Sequence, residues 1–228
     1  MYFRDIKNCG DLNNPNNPCI NGVIKYLVSK QIQVSGETIR KKLAELREKR
    51  YETNIELGIE ELVSYLAQEF DIDKDELEPL VDVFSTAFFS SAYLDPYAKE
   101  VLTKLKEKYQ LGIISNSPFG IPARYSRRAL QEKGIYDLFD FMVFSSEEGI
   151  RKPDGKLFEI TFIKYCLNKQ NTIYIGNHLI QDIEAARNFG INDVVLTKQK
   201  DKDSDLGIPL EELPQHLYEK FEENKDES

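Results

Sequence analysis

Three short stretches carry side chains able to do chemistry, each beside an apolar run. Ser115, Asn116 and Ser117 close the run "LGII". Lys152 stands in the tight, Pro-containing turn "GIRKPDGKLFE". Asn177 and His178 follow "TIYIG", and Asp182 comes five residues after Asn177. Polar groups just beyond the ends of apolar strands are where an open parallel sheet keeps its ligands. Asp182 supplies the acid that many α/β enzymes present there. Asn177 stands where such a site usually wants a carboxylate, so the stretch reads either as a working catalytic site or as the remains of one. Plainer roles exist for each residue. Asp182 can cap a helix, where a carboxylate suits the positive end of the macrodipole. Lys152 can be a surface lysine, Ser115 can simply end a strand, and His178 can face solvent or pack.

The elements that position these residues follow from the spacing of apolar positions. From Gly22 to about Ala92 the pattern is helical. "GETIRKKLAELREKR" sets Ile39, Leu43 and Leu46 on one face, and "NIELGIEELVSYLAQEF" does the same with Ile55, Ile59, Leu62 and Leu66. "DKDELEPLVDVFSTAFFSSA" opens with Asp73 and has Glu76 three residues on, in the pattern of a capping box. After "DPYAKEVLTKLKEKY" short apolar strands alternate with helices: "LGIIS", "FMVFS", "TIYIG" and "DVVLT" are the strands. Strand and helix in alternation predict a parallel α/β sheet covered by helices on both faces. With "MYFR" as its first strand, the helical block is an insertion after that strand. The expected division is an α/β core of residues 1–14 and 93–228 and a helical domain of residues 15–92. An Asn- and Pro-rich loop leads into the latter, and a charged tail ends the chain.

A net charge of −9 argues against a general nucleic-acid partner. No apolar run reaches 18 residues, which argues against a membrane span. Three cysteines without zinc-like spacing read as free thiols, and the chain is expected to be soluble and cytoplasmic. The basic run "IRKKLAELREKR" is a solvated helix face or a surface that attracts a phosphorylated molecule.

Together the three stretches resemble the haloacid dehalogenase-like (HAD) hydrolases in order and spacing. "IISNS" resembles the family's second motif, "RKPDGKLFE" its third and "YIGNHLIQDIEAARNFG" its fourth. The resemblance implies a Rossmann-like core and a small helical cap inserted between motifs one and two. It implies that Ser115, with the backbone at Asn116, binds a phosphate, and that Lys152 neutralises nucleophile and phosphate. Asp182 with its partner acid would position Mg²⁺, and here that partner is Asn177.

The first motif departs further. The family supplies an Asp nucleophile and a second Asp two residues on. One register puts Asp5 at the nucleophile and metal position, with Lys7 in place of the second Asp, Asn8 in place of Gly and Cys9 in place of Thr. Another aligns Gly10, Asp11 and Leu12 with the family's Gly-Thr-Leu, which puts Lys7 and Cys9 at the two acid positions. A third alternative is a first motif upstream of Met1, but Met1 already stands a strand's length before Asp5 and the spacing to Ser115 fits. In the first register two acids are balanced by two lysines, so the site is less negative than the family's and its hold on Mg²⁺ weaker. The resemblance thus implies a slow or impaired phosphatase acting on a small phosphorylated metabolite through an aspartyl-phosphate. The alternative is an inactive protein of the same fold that binds a phosphorylated ligand or a protein partner.

Overall fold

Apolar side chains that recur at helical spacing from Ile20 to Phe88 close one core in the computed structural model, which describes residues 3–4, 7–198 and 207–221. Four helices, Pro18–Ser29, Gly36–Thr53, Ile59–Phe70 and Leu77–Ser90, bury Ile20, Leu27, Ile39, Leu43, Leu62 and Phe84 between them. Each such side chain contributes about 1.5–3 kcal/mol by leaving water. The Asn-rich loop has a defined task. Asn17 is fully buried, accepts from the Cys19 and Ile20 amides, and donates to the Cys9 and Asp11 carbonyls. Cys9, Cys19 and Cys166 are free thiols.

Two local readings need correction. Ile55 is half exposed and lies outside the helix, which starts at Ile59 after Gly58. The Glu61 carboxylate accepts from the Gly58 amide at 2.5 Å and sets that start. Asp73 makes no side-chain capping bond. A 3₁₀ turn, Lys74–Glu76, precedes the helix, and Glu76 accepts instead from the Tyr26 hydroxyl and from Lys30 at 2.7 Å. A tertiary partner has outcompeted the local cap.

The remainder is α/β. Strand β1 (Phe3–Arg4) pairs antiparallel with β2 (Tyr93–Leu94), so its described part is not a strand of the parallel sheet. Strands β3 (Gly112–Ser115) and β4 (Phe141–Phe144) pair in parallel, as do β5 (Ile173–Gly176) and β6 (Asp193–Leu196). Alternate residues face opposite layers. Ile173, Ile175 and Val195 meet the helices Ala98–Lys106 and Leu213–Phe221. Tyr174, Val194 and Leu196 meet Phe158 and Phe162 of the helix Lys156–Lys164. The expected architecture is therefore present: a parallel, Rossmann-like core with helices on both faces, and a helical block that follows β1. Among the described residues β3 and β5 share no ladder. Both line one cavity of about 1110 Å³, whose polar end is formed by Ser115, Asn116, Lys152, Asn177 and Asp182. No helix among the described residues is long and apolar enough to cross a membrane.

Candidate active site

Lys152 and Asp182 meet at this end of the sheet. The Lys152 ammonium donates to Asp182 Oδ1 at 2.5 Å, to the Tyr174 hydroxyl at 2.8 Å and to the Ile114 carbonyl at 3.1 Å. All three of its protons have acceptors. Asp182 Oδ2 accepts from the Asn177 and His178 amides at 3.1 and 3.0 Å. Both side chains are buried, 6% and 11% exposed. Burial alone would pull the lysine down, but Tyr174 and Asp182 outweigh it, and the Lys152 pKa is raised. Burial pushes the Asp182 carboxyl up, while Lys152 and the two amides outweigh it and hold it below the usual range. Both groups are thus charged at neutral pH.

The backbone explains how Asp182 gets there. Residues Leu179–Glu184 form a π-helical segment rather than the α-helix expected, and α-helix follows only at Ala185–Phe189. The wider turn lets Asp182 reach back to the Asn177 and His178 amides, a use common to π segments. Gly176 makes room: a Cβ there would lie 2.3 Å from Asp182 Cβ. His178 is exposed, and its Nδ1 accepts from the Gln181 amide at 3.2 Å, which makes it a cap of this turn.

Asn116 ties the second stretch to the third. Its side chain accepts from the Lys152 amide at 2.8 Å and donates to the Lys152 carbonyl at 2.9 Å. Ser115 is half-buried at the end of β3, and its hydroxyl donates to the Asn116 carbonyl at 3.2 Å. The structure therefore brings Ser115, Asn116, Lys152, Asn177 and Asp182 to one end of one cavity. Asp5 lies outside the described residues. Cys9 belongs to the core of the helical block, where its thiol lies 3.3 Å from the Ser91 hydroxyl. The sequence reading missed Tyr174. A tyrosine in the buried strand "TIYIG" needs a partner for its hydroxyl, and that requirement was the available signal.

Among the described residues the fit for a cation is poor. Mg²⁺ is usually held by one or two carboxylates plus ligand phosphate. Among the described residues no group of three or more His, Cys, Asp or Glu can hold a metal. Asp182 brings a carboxylate, but both its oxygens have partners already. The described residues do not fit Mg²⁺.

Comparison with known proteins narrows the family. The pattern described as haloacid dehalogenase-like hydrolase matches residues 29–196. The glyceraldehyde 3-phosphate phosphatase of Pyrococcus abyssi is 29% identical over 174 residues, 75% of this chain and 69% of that protein. This chain spans about half the length of other curated relatives with that name: 52%, 45% and 49% for three of them. A 2-haloacid dehalogenase from Pseudomonas syringae has a TM-score of 0.62 at 19% identity, covering 90% of this chain and 93% of its own. A HAD phosphatase from Thermococcus onnurineus has a TM-score of 0.58 at 19% identity, covering 87% and 86%. At such identities these two likenesses establish the fold alone.

Proposed function

The chain belongs to the haloacid dehalogenase-like hydrolases, and on that premise we propose that it is a phosphatase-type hydrolase of a small phosphorylated metabolite in the cytoplasm. The observation that carries the reading is the buried Lys152 ammonium, clasped through its backbone to Asn116 beside Ser115 at the polar end of the cavity. A hydroxyl and an ammonium suit a phosphoryl group, whose transfer depends mostly on positioning and charge stabilisation. To donate to it Lys152 would exchange its bond to the Ile114 carbonyl or to the Tyr174 hydroxyl. The name shared by several relatives makes glyceraldehyde 3-phosphate the first substrate to try.

In this reading the Asp5 carboxylate attacks phosphorus and the bond to the leaving oxygen breaks. That oxygen takes a proton from water. A second water then attacks phosphorus and gives its proton to the hydroxide left by the first, the aspartyl–phosphate bond breaks, and inorganic phosphate leaves with the Asp5 carboxylate restored. Ser115 and Asn116 orient the phosphoryl group, and Lys152 offsets its charge. In the register that makes Asp5 the nucleophile, Lys7 replaces the acid that would assist the leaving oxygen, so general acid help worth roughly 10²–10⁴-fold is missing and turnover is slow.

One observation favours a second reading, a phosphate-binding protein without turnover. Lys152 and Asp182 already neutralise each other, and Asp182 has no oxygen left for a cation. The deciding assay is phosphate release from glyceraldehyde 3-phosphate and from an aryl phosphate, with and without Mg²⁺, on the chain and on Asp5→Asn. Release that disappears in Asp5→Asn supports the hydrolase. Absence of release, combined with thermal stabilisation by inorganic phosphate without metal, supports the binding protein.

A further inference from the structure

The helical block meets the core through a short antiparallel bridge, Ile55 to Ile150. The Glu56 amide donates to the Gly149 carbonyl at 3.0 Å, and the Arg151 amide to the Asn54 carbonyl at 2.9 Å. This bridge carries Glu56, whose side chain is 3% exposed, into a buried cluster. The two carboxyl oxygens have different partners. Oε1 lies 3.6 Å from Arg50 and 3.4 Å from Arg151. Oε2 accepts from the Ser145 hydroxyl. Burial pushes the Glu56 carboxyl up, and Arg151, Ser145 and Arg50 draw it back toward the charged form.

Ser145 is fully buried and has one hydroxyl proton. Because that proton goes to Glu56, the oxygen's lone pairs are left to accept, and they accept from the Ser117 amide at 2.7 Å. The Ser117 hydroxyl lies 2.8 Å from that of Ser146 and accepts from the Ser146 amide at 3.2 Å. Ser117 directly follows Asn116, which is itself clasped to Lys152. The loop after β3 is thus fastened on one side to Lys152 and on the other, through Ser145, to the helical block.

We propose that Glu56, from the helical block, is a positioning residue for the loop Ser115–Ser117, acting through the Ser145 hydroxyl. The proposal takes from the reading above that this loop binds phosphate. It adds that the helical block holds the loop in shape, so that loosening the block loosens the loop. Since the two oxygens of Glu56 do different things, the hold on Ser145 separates from the ion pairs.

The test compares the full chain with Arg50→Met, with Arg50→Met/Glu56→Met, and with Ser145→Ala. Glu56 pairs with Arg151 as well as with Arg50, so the double variant leaves the buried Arg151 without its carboxylate. Ser145→Ala keeps all three charges and cuts the same chain without that cost. Arg50→Met leaves the Glu56–Ser145–Ser117 chain intact, whereas the double variant cuts it. Amide exchange at Ser117, followed site by site, reads the loop without any ligand. Inorganic phosphate binding, followed by thermal shift, reads its function. The expected result is Ser117 exchange about tenfold faster and phosphate binding about fivefold weaker in the double variant and in Ser145→Ala, with Arg50→Met like the parent in both. Equal Ser117 exchange in the double and single variants overturns the proposal. So does equal loosening in Arg50→Met, which would make the effect one of general docking. If the parent chain binds no phosphate, the functional reading fails, and the exchange comparison still decides the role of Glu56.

Discussion

Lys152 and Asp182 stabilise each other only while both are charged, which fixes a pH window. Asp182 is held below its unfolded value of about 3.9. Its contribution is therefore complete above that value and is lost as pH falls through the folded pKa. Lys152 is raised above its unfolded value of about 10.4, so its contribution is complete below that value and is lost as pH rises through the folded pKa. Between roughly pH 4 and 10 the pair's contribution is flat. Urea midpoints measured from pH 7 down to 2 should fall more steeply for the chain than for Asp182→Asn, and parallel curves would show that the pair adds nothing. Truncating one partner is a harsher change. Lys152→Met leaves a buried carboxylate with no cation and should cost about 3–5 kcal/mol, seen as a lowered urea midpoint at pH 7. Tyr174→Phe is milder. It removes the hydroxyl 2.8 Å from Lys152 and 3.3 Å from Asp182 while keeping the ring against Phe158. The expected loss is about 1 kcal/mol, and a neutral result would mean that Lys152 finds another acceptor.

The elements that deliver this pair are short, and their fit depends on one residue without a side chain. A Cβ on Gly176 would meet Asp182 Cβ at 2.3 Å and Oδ2 at 2.9 Å, so Gly176→Ala must push the π-helical turn off β5. The expected cost is about 1–3 kcal/mol of overpacking, with faster exchange at the Asn177 and His178 amides that Asp182 now protects. An unchanged melting temperature would mean that the turn yields freely. How far these elements were legible follows the range of the interactions that form them. The apolar runs "LGII", "FMVF" and "TIYI" announced β3, β4 and β5, because a buried parallel strand needs little but such a run. The offset from Asn177 to Asp182 was legible because both belong to one strand–turn–helix unit. The π-helical turn was not, since it depends on where Asp182 finds donors. Nor was the loss of the Asp73 cap, since Glu76 answers to Tyr26 and Lys30, 50 and 46 residues away in sequence. Glu56 reaches Ser145 across 89 residues, and nothing local to "NIELG" marks it as more than a surface acid.

At the scale of the whole molecule the helical block and the α/β core meet where the candidate phosphate loop turns. The Ile55–Ile150 bridge and the Glu56 cluster lie on one side of that junction. On the other side Gly58, which begins the helix Ile59–Phe70, presses on the turn Pro118–Gly120 that follows Ser117. Phe119 of that turn also sits in the helical core, edge-on to Phe84 and Phe88 at 5.7 and 5.9 Å between ring centres. The junction leaves no room for a methyl group. A Cβ on Gly58 would lie 1.9 Å from the Phe119 carbonyl oxygen and 2.5 Å from Gly120 Cα. These are backbone atoms and cannot rotate aside, so Gly58→Ala can be accommodated only if block and loop separate. Separation lifts Phe119 from its ring contacts and pulls on the Glu56–Ser145 link at the same time. The expected cost is about 3 kcal/mol, the upper end for overpacking, with a broader or biphasic calorimetric transition as block and core lose cooperativity. Exchange at the Ser117 amide should rise along with it. A single sharp transition at the parent temperature would mean that the block rides on the core without gripping it, and the loop after β3 would then owe its shape to Lys152 and Asn116 alone.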